Sequence, residues 1–387
     1  MNRGQTVFAQ LLRVLPSEHF DHLVDKFNAN AWVKTLPARA HLVCLLYAQL
    51  TRRDGLRDLV ACLNSHRQRL YHLGIRHDVG RSTLADAAQR RDWRLFEALG
   101  ARLINMALDA YKGDAQVLGL KEPLYAMDST TIDLCMRLFL WAHSRATTGA
   151  VKAHTVLELR GAIPVFVSIT TGDVPDNKLL ADIRLPAHAT VVLDRGYVDF
   201  ARLYALVRRD VNFVVRAKDN LRFTRIKAAR VDKGSGVLAD ETVVLAIKLS
   251  RQGYPKRLRR IEFYDAVSGL QLVFLTNRFD LPALTIAQIY KERWKVELFF
   301  KWLKQHLLVK HFFGNSENAV KAQIWIAICA YLTVLIAHKQ LRLKISLHLF
   351  MHLIETNIFE KVSLHDLADS AQSADQHSHD QDQMTLI

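Results

Sequence analysis

No two of the four cysteines, Cys44, Cys62, Cys135 and Cys329, stand close enough in the chain to form a CxxC pair, and they fall mostly within apolar segments. Buried, reduced thiols are therefore expected. A phosphate-cradling Gly-rich loop ending in Gly-Lys-Ser/Thr is also missing, which argues against an ATP-driven mechanism and a nucleotide cofactor. The seventeen histidines contain no HExxH spacing, and two of them, His377 and His379, stand in a polar tail. Before Pro16 the apolar run is too short for a signal peptide. The longest apolar run, Ile324 to Ala337, falls short of the roughly 20 residues that cross a bilayer and has a helical pattern, so a buried helix and a cytoplasmic protein without a membrane partner are expected.

Acidic residues are comparatively scarce, 38 against 53 Lys and Arg, which leaves a formal charge of +15 over 387 residues. The isoelectric point is near 9.7. An excess of this size favours a polyanionic partner, because each phosphate neutralised releases counterions. Ribosomal and membrane-surface proteins share the composition, so charge alone does not decide between them. Half of the residues are hydrophobic, enough to bury one large core or two to three smaller ones.

Residues 1–118 have a helical texture, with amphipathic runs at Phe8 to Leu15, His41 to Leu50 and Leu56 to Leu63. A further helix is expected from Arg81, with Ser82 as its N-cap, and it carries Gln89, Arg90, Arg91 and Arg94. Joined through the turn at Gly74 to Gly80 to a helix over 55–69, it would suit a DNA-reading pair or, equally, a solvated basic face. From about 120 the texture becomes strand-like: Leu124 to Met127, Val151 to Leu159, Pro164 to Thr170, Thr190 to Leu193 and, after a helix at Tyr197 to Arg209, Asn212 to Ala217. Further strand-like runs at Glu241 to Leu249, Leu258 to Tyr264 and Leu272 to Leu275 suggest a β insertion over 219–280. One long helix from Thr285 to His306 follows, then more helices, a C-terminal helix at 346–366 and a tail, 367–387, too polar to pack.

Asp128 follows one apolar run in LYAMDSTTID, and Asp194 follows another in TVVLDRGY. Two acids ending two neighbouring strands would repel unless a cation lay between them, and Mg²⁺ suits such oxygen ligands. Singly, each is as readily a turn former or a helix cap. On a helix, Tyr290, Arg293, Glu297 and Lys304 fall within a sector of roughly 60°, so one face presents a hydroxyl, two cations and a carboxylate. The same spacing fits an ordinary surface pair between Glu297 and Lys301. Phosphodiester chemistry accounts for the mixture, since it needs carboxylates for metal ions and cations for the flanking phosphates.

Tyr290-x2-Arg293-x3-Glu297-x6-Lys304 resembles the Tyr-Arg-Glu-Lys signature of bacterial insertion-sequence transposases of family four, the cut-and-paste DDE group. The segments IYKERWKVELFFKWLKQHL, DSTTID, DRGYVDFARLY and NFVVRAKDN are also similar to that family, and the likeness spans 120–345 most strongly. It implies a ribonuclease-H-like α/β catalytic core at 119–345, interrupted by the β insertion, preceded by a helical DNA-binding domain and followed by C-terminal helices. It also implies that Asp128, Asp194 and Glu297 bind two Mg²⁺ (or Mn²⁺) ions, and that Tyr290, Arg293 and Lys304 hold the transposon end. The implied partners are double-stranded DNA, as terminal inverted repeats and target, and a second copy of the chain on paired ends; the location is cytoplasmic, at the nucleoid.

Arg216 and Lys218, beyond the strand after Asp194, are placed to approach the same DNA, and Lys256, Arg257, Arg259 and Arg260 form a basic run that suits either phosphate contact or a solvated strand edge. Lys152 and His154 could face the site. The family expects an aromatic from the insertion to stack on a flipped base, with Tyr254, Tyr264 and Phe274 as candidates that also suit a sheet core. Trp294 and Trp302 fit packing better than stacking. A structure-selective nuclease on the same core, without strand transfer, and a transposase relative that binds DNA without cutting it are the alternatives to a transposase.

Overall fold

The structure, a computed structural model, describes residues 4–135, 138–139, 141–145, 148–306 and 312–371. It forms two compact units, one comprising Met1–Gly113, Leu134–Ala142 and Trp302–Ile387, the other Asp114–Asp133 and His143–Lys301. The compact units thus differ from the sequence boundaries: the helices after residue 301 group with the N-terminal region instead of with the strands.

The first unit begins with α1 (Val7–Leu12), α2 (Ser17–Lys26), α3 (Ala38–Leu50), α4 (Leu56–Ser65), α5 (Arg67–Leu70), α6 (Arg81–Arg90) and α7 (Arg94–Tyr111). Ser82 lies inside α6, whose N-cap is Gly80 without a side-chain cap. Arg91 differs from a solvated or DNA-reading base: it is buried and donates to the carbonyls of Ala29 and Leu36 at 3.1 and 3.0 Å.

The second unit is built on a 10-stranded sheet. Its strands and helices are β1 (Leu124–Leu134), β2 (His143–Arg145), β3 (Thr148–Glu158), β4 (Ile163–Thr171), β5 (Thr190–Leu193), α8 (Phe200–Arg208), β6 (Asn212–Arg216), β7 (Phe223–Ala228), β8 (Val237–Leu245), α9 (Lys248–Gly253), β9 (Leu258–Asp265), β10 (Leu270–Thr276), α10 (Ala283–Lys291) and α11 (Trp294–His306). The order along the sheet is β2-β3-β1-β5-β6-β10-β9-β8-β7, with β4 antiparallel to β3. Strands β1, β5 and β6 are parallel, and β10 returns antiparallel to β6. The succession β4-β3-β1-β5-β6 is that of a ribonuclease-H-like core. The β insertion proves continuous with it: its strands extend the same sheet, and residues 248–253, expected partly as strand, are helical. The parallel strands LYAM, TVVL and NFVVR are apolar on both faces, as a sheet covered on both sides requires. Edge strand β7 is exposed and carries Arg225 and Lys227, charges that discourage edge-to-edge pairing.

The first unit resumes at Trp302, within α11, and continues with α12 (Glu317–Gln340) and α13 (Leu347–Asn357), and residues 364–371 are also helical although a polar tail was expected from 367. The rest of that tail, with His377 and His379, lies outside the described residues. Helix α12 is long and apolar enough to cross a membrane by composition, but 94% of its apolar window is buried in the fold. It packs on α7 and α3, and α7 approaches closely because Gly100 has no Cβ: one placed there would meet the Trp325 ring at 2.9 Å. Of the cysteines, Cys44 and Cys329 are buried, whereas Cys62 is half-buried and Cys135 exposed.

His41 on α3 is fully buried against Phe96, and among the described residues neither ring nitrogen has a hydrogen-bond partner. Burial, and then nearby Arg91, holds its pKa well below the ordinary histidine value. His154 on β3 is pushed down to about 4, by burial first and Lys152 after it, with Asp176 opposing. Both rings are neutral in the folded chain, while the unfolded chain takes up protons below about pH 6.5. Stability is therefore fully present above that pH and is lost as pH falls toward the folded values. Urea unfolding should show a midpoint that drops from pH 7 to pH 5, with a shallower drop in His41→Leu; an identical slope in the variant would contradict the assignment.

Candidate active site

The register of β1 on β5 pairs Met127 with Leu193, so the next residue on each strand is an acid, Asp128 on one and Asp194 on the other. Asp128 does not end its strand: β1 continues to Leu134, beyond its pairing with β5, and Asp128 stands where that parallel neighbour stops. Its side chain is largely buried, and burial raises the carboxyl to about 6, with Asp194 and Glu297 adding to the rise and the Ser129 amide and Arg293 opposing it.

The expected single helix at 285–306 is two. Helix α10 ends at Lys291 and α11 starts at Trp294, with Glu292 and Arg293 in a turn tightened by Arg293 N–H to Tyr290 and Val296 N–H to Arg293, bonds that skip three residues and not four. Tyr290, Arg293 and Glu297 therefore do not share one helical face. They converge nonetheless. The Tyr290 hydroxyl donates to Asp194 at 3.1 Å, and Arg293 donates through one nitrogen to Asp128 at 2.9 Å and through another to Glu297 at 2.5 Å. Burial pushes Tyr290 up to about 12, with Asp194 adding to the rise, so its hydroxyl keeps its proton. Burial opposes the Arg293 charge, but Tyr290, Asp128, Glu297 and Asp194 outweigh it and the guanidinium stays charged. Phe274 of β10 supports the Tyr290 ring at 4.7 Å.

Behind Asp128 lies a second layer with two residues that sequence reasoning missed. The Ser129 amide donates to Asp128 and its hydroxyl donates to Asp176, both at 2.8 Å. Lys152, on β3, donates to Asp176 at 3.2 Å and to the Val174 carbonyl, and His154 Nδ1 is 3.8 Å from the same carboxylate. Asp176 stands in the turn-like string DVPDNK, which in sequence looks like any loop acid. Tyr197 is buried, and burial, then Asp128, Asp176 and Asp194, raise its pKa, with Ser129 opposing.

The remaining predicted residues are dispersed. Arg216 ends β6, and Lys218 donates to the Val198 carbonyl; both line a small cavity with Phe223 and Arg260. Lys256 and Arg257 are exposed before β9. Arg259 and Arg260, from the same basic run, are corrected to internal partners: Arg259 holds Asp240 at 2.8 Å, and Arg260 holds Glu241 and Glu262 at 2.9 Å. Lys304 is exposed on the later turns of α11, among the residues of the helical unit. Trp302 is buried as expected, but Trp294 is exposed. Tyr254 and Phe274 are sheet core, and Tyr264 is half exposed.

Three carboxylates form a hard oxygen donor set, the chemistry a divalent cation of the Mg²⁺ class prefers. Among the described residues no three His, Cys, Asp or Glu side chains are gathered tightly enough to hold an ion as they stand. The charge that balances Asp128 and Glu297 is the Arg293 guanidinium. The oxygen donors of Asp128, Asp194 and Glu297 are of the type that suits such a divalent cation.

A family model described as a transposase DDE domain matches residues 119–333, and one described as a domain of unknown function matches residues 3–76. A Sinorhizobium fredii protein named as transposase y4zB is 32% identical over 286 residues, 73% of this chain and 78% of its own length. A Geobacillus stearothermophilus protein named as a transposase for insertion sequence element IS5377 is 33% identical over 65% of each chain. Among solved structures, piggyBac transposase in a synaptic complex with hairpin DNA is similar with a TM-score of 0.46 and 9% identity, over 95% of this chain and 80% of that one.

Removing the guanidinium should expose the carboxylate repulsion. Arg293→Ala should lower stability in a chelating buffer by roughly 3 kcal/mol, the cost of breaking a buried pair, and added Mg²⁺ should raise its melting temperature more than that of the native chain. An equal Mg²⁺ response in the two proteins would show that Arg293 and the cation do not compete.

Proposed function

The chain belongs to the DDE transposase family and is an insertion-sequence transposase, an enzyme that acts on DNA with divalent metal ions, and on that footing we propose how its residues divide the work. Asp128, Asp194 and Glu297 would hold two Mg²⁺ ions, with Mn²⁺ able to replace them. When bound, the ions make the attacking water or 3′-hydroxyl a stronger nucleophile and stabilise the leaving oxygen. The observation that carries this assignment is the shared counterion: Arg293 links Asp128 to Glu297, and Asp194 is the register neighbour of Asp128.

Arg293, bonded to both Asp128 and Glu297, offsets the repulsion between the two acids. Once their charge is met otherwise, its planar fork is free to grip a backbone phosphate in two-point fashion. Tyr290, with its proton retained, orients Asp194, and Lys304 is the further cation that the family signature assigns to the transposon end. Arg216 and Lys218, and the exposed Lys256 and Arg257, extend the basic path for flanking DNA. Ser129 and Asp176 fix the rotamer of Asp128 from behind, and Lys152 neutralises Asp176. The helical region at 1–118 binds DNA, the core at 119–345 cuts both element ends and joins their 3′-hydroxyls to target DNA, and two copies act together on paired ends.

The test uses DNA bearing the element's terminal inverted repeats with Mg²⁺. Native protein should release the ends and join them to target, whereas Glu297→Gln and Asp194→Asn should bind the ends but cut about a thousandfold more slowly, a loss of several kcal/mol of transition-state stabilisation. Cutting without joined products would reduce the activity to that of a nuclease. Undiminished cutting by Glu297→Gln would overturn the assignment.

A further inference from the structure

The segment between α2 and α3 presents Trp32 fully to solvent, the residue being 101% exposed, beside the exposed Val33 and Lys34. A tryptophan in this state forgoes the burial that ordinarily stabilises its large apolar surface. Its backbone is also strained: Trp32 adopts φ 59° and Asn28 φ 47°, and for a bulky side chain the left-handed region is a genuine outlier.

The surrounding structure holds this conformation firmly. Buried Arg91, at the end of α6, donates to the carbonyls of Ala29 and Leu36 on either side of the tip. Asn30 accepts from the Ala38 amide at 2.7 Å, and the Ala31 and Val33 amides close successive turns onto Asn28 and Asn30. Burying the Arg91 charge is costly and lowers its pKa to about 10. A buried guanidinium spent on bracing a loop that ends in an exposed indole is explained if the indole's position matters.

We propose that Trp32 is a DNA contact whose indole stacks on an unpaired base, with Lys34 on the adjoining phosphate. Residues 28–35 contain no acid and one base, Lys34, in a chain carrying a charge of +15, so the tip is complementary to a phosphate backbone and lacks the apolar breadth of a protein-docking patch. A single protruding ring finds a free π-face on an unpaired base, whereas entering an intact duplex would first require unstacking a base step. The contact rests on the chain's binding DNA, and it gives residues 3–76, matched only as a domain of unknown function, a specific task.

The test measures binding of the full chain, by fluorescence anisotropy, to a short duplex and to the same duplex with a single-stranded extension. Trp32→Ala should bind the extended duplex about tenfold more weakly, bind the paired duplex as the native chain does, keep the native melting temperature, and show an unchanged salt dependence because no ionic contact is lost. Trp32→Tyr, which keeps a ring, should recover most of the affinity. Equal binding of the extended duplex by native protein and Trp32→Ala, or an equal loss on both duplexes, overturns the stacking contact while leaving DNA binding intact. A native chain that binds neither duplex overturns both. Self-association lost in Trp32→Ala at unchanged DNA affinity would assign the tip to a second copy of the chain and overturn the proposal.

Discussion

Asp128 and Glu297 carry like charges in a partly desolvated site, and the guanidinium of Arg293 lies between them, bonded to both. That placement constrains much of the surrounding structure. Like charges held in reduced dielectric either take up a proton or meet a cation; burial first, with Asp194 and Glu297 adding to it, raises the Asp128 carboxyl. The break between α10 and α11 follows from the same demand: by ending one helix at Lys291 and starting another at Trp294, the chain frees Arg293 to reach across to β1 while Glu297 returns one turn later on α11. Tyr290 supplies the neutral partner for Asp194, held by its ring against Phe274.

The sheet supplies the precision. Parallel pairing of β1 with β5 places Asp128 and Asp194 at successive equivalent positions, and apolar residues on both faces of these strands leave little freedom for a register slip, which would bury one acid and expose a core residue. A serine directly after Asp128 then ties the strand to Asp176, so the acid is held from behind as well as in front. Arg293 is thus linked to a frame whose geometry the core packing already enforces.

Much of this was legible in the chain. The runs that became β1, β5, β6, β9 and β10 announce themselves by apolar continuity, and of the Tyr-Arg-Glu-Lys spacing Tyr290, Arg293 and Glu297 come together with Asp128 and Asp194 whereas Lys304 does not. The break at Glu292 and Arg293 was not legible, because no proline or glycine marks it and the helical period runs through it; tertiary pairing of Arg293 overrides local propensity there. Asp176 escaped for a related reason, since a loop acid acquires meaning only when folding brings Ser129 and Lys152 to it. Arg91 and Arg259 read as surface cations and are buried with internal partners, for charge in a sequence does not say which way a side chain points. Strand β7, polar along most of its length, lacks the alternation that reveals its neighbours.

The helical unit follows a different economy, with an all-round apolar α12 at its centre and a braced, solvent-facing loop at residues 28–35. In the proposed assignment Asp128, Asp194 and Glu297 form one cation site, with Arg293 bonded to two of the three acids. Titration of Mn²⁺ into the purified chain, followed by the loss of its free-ion paramagnetic resonance signal, tests this directly. The native chain should bind Mn²⁺, and Asp194→Asn and Glu297→Gln should each lose that binding; Mn²⁺ binding that survives both substitutions unchanged would contradict the three-carboxylate site.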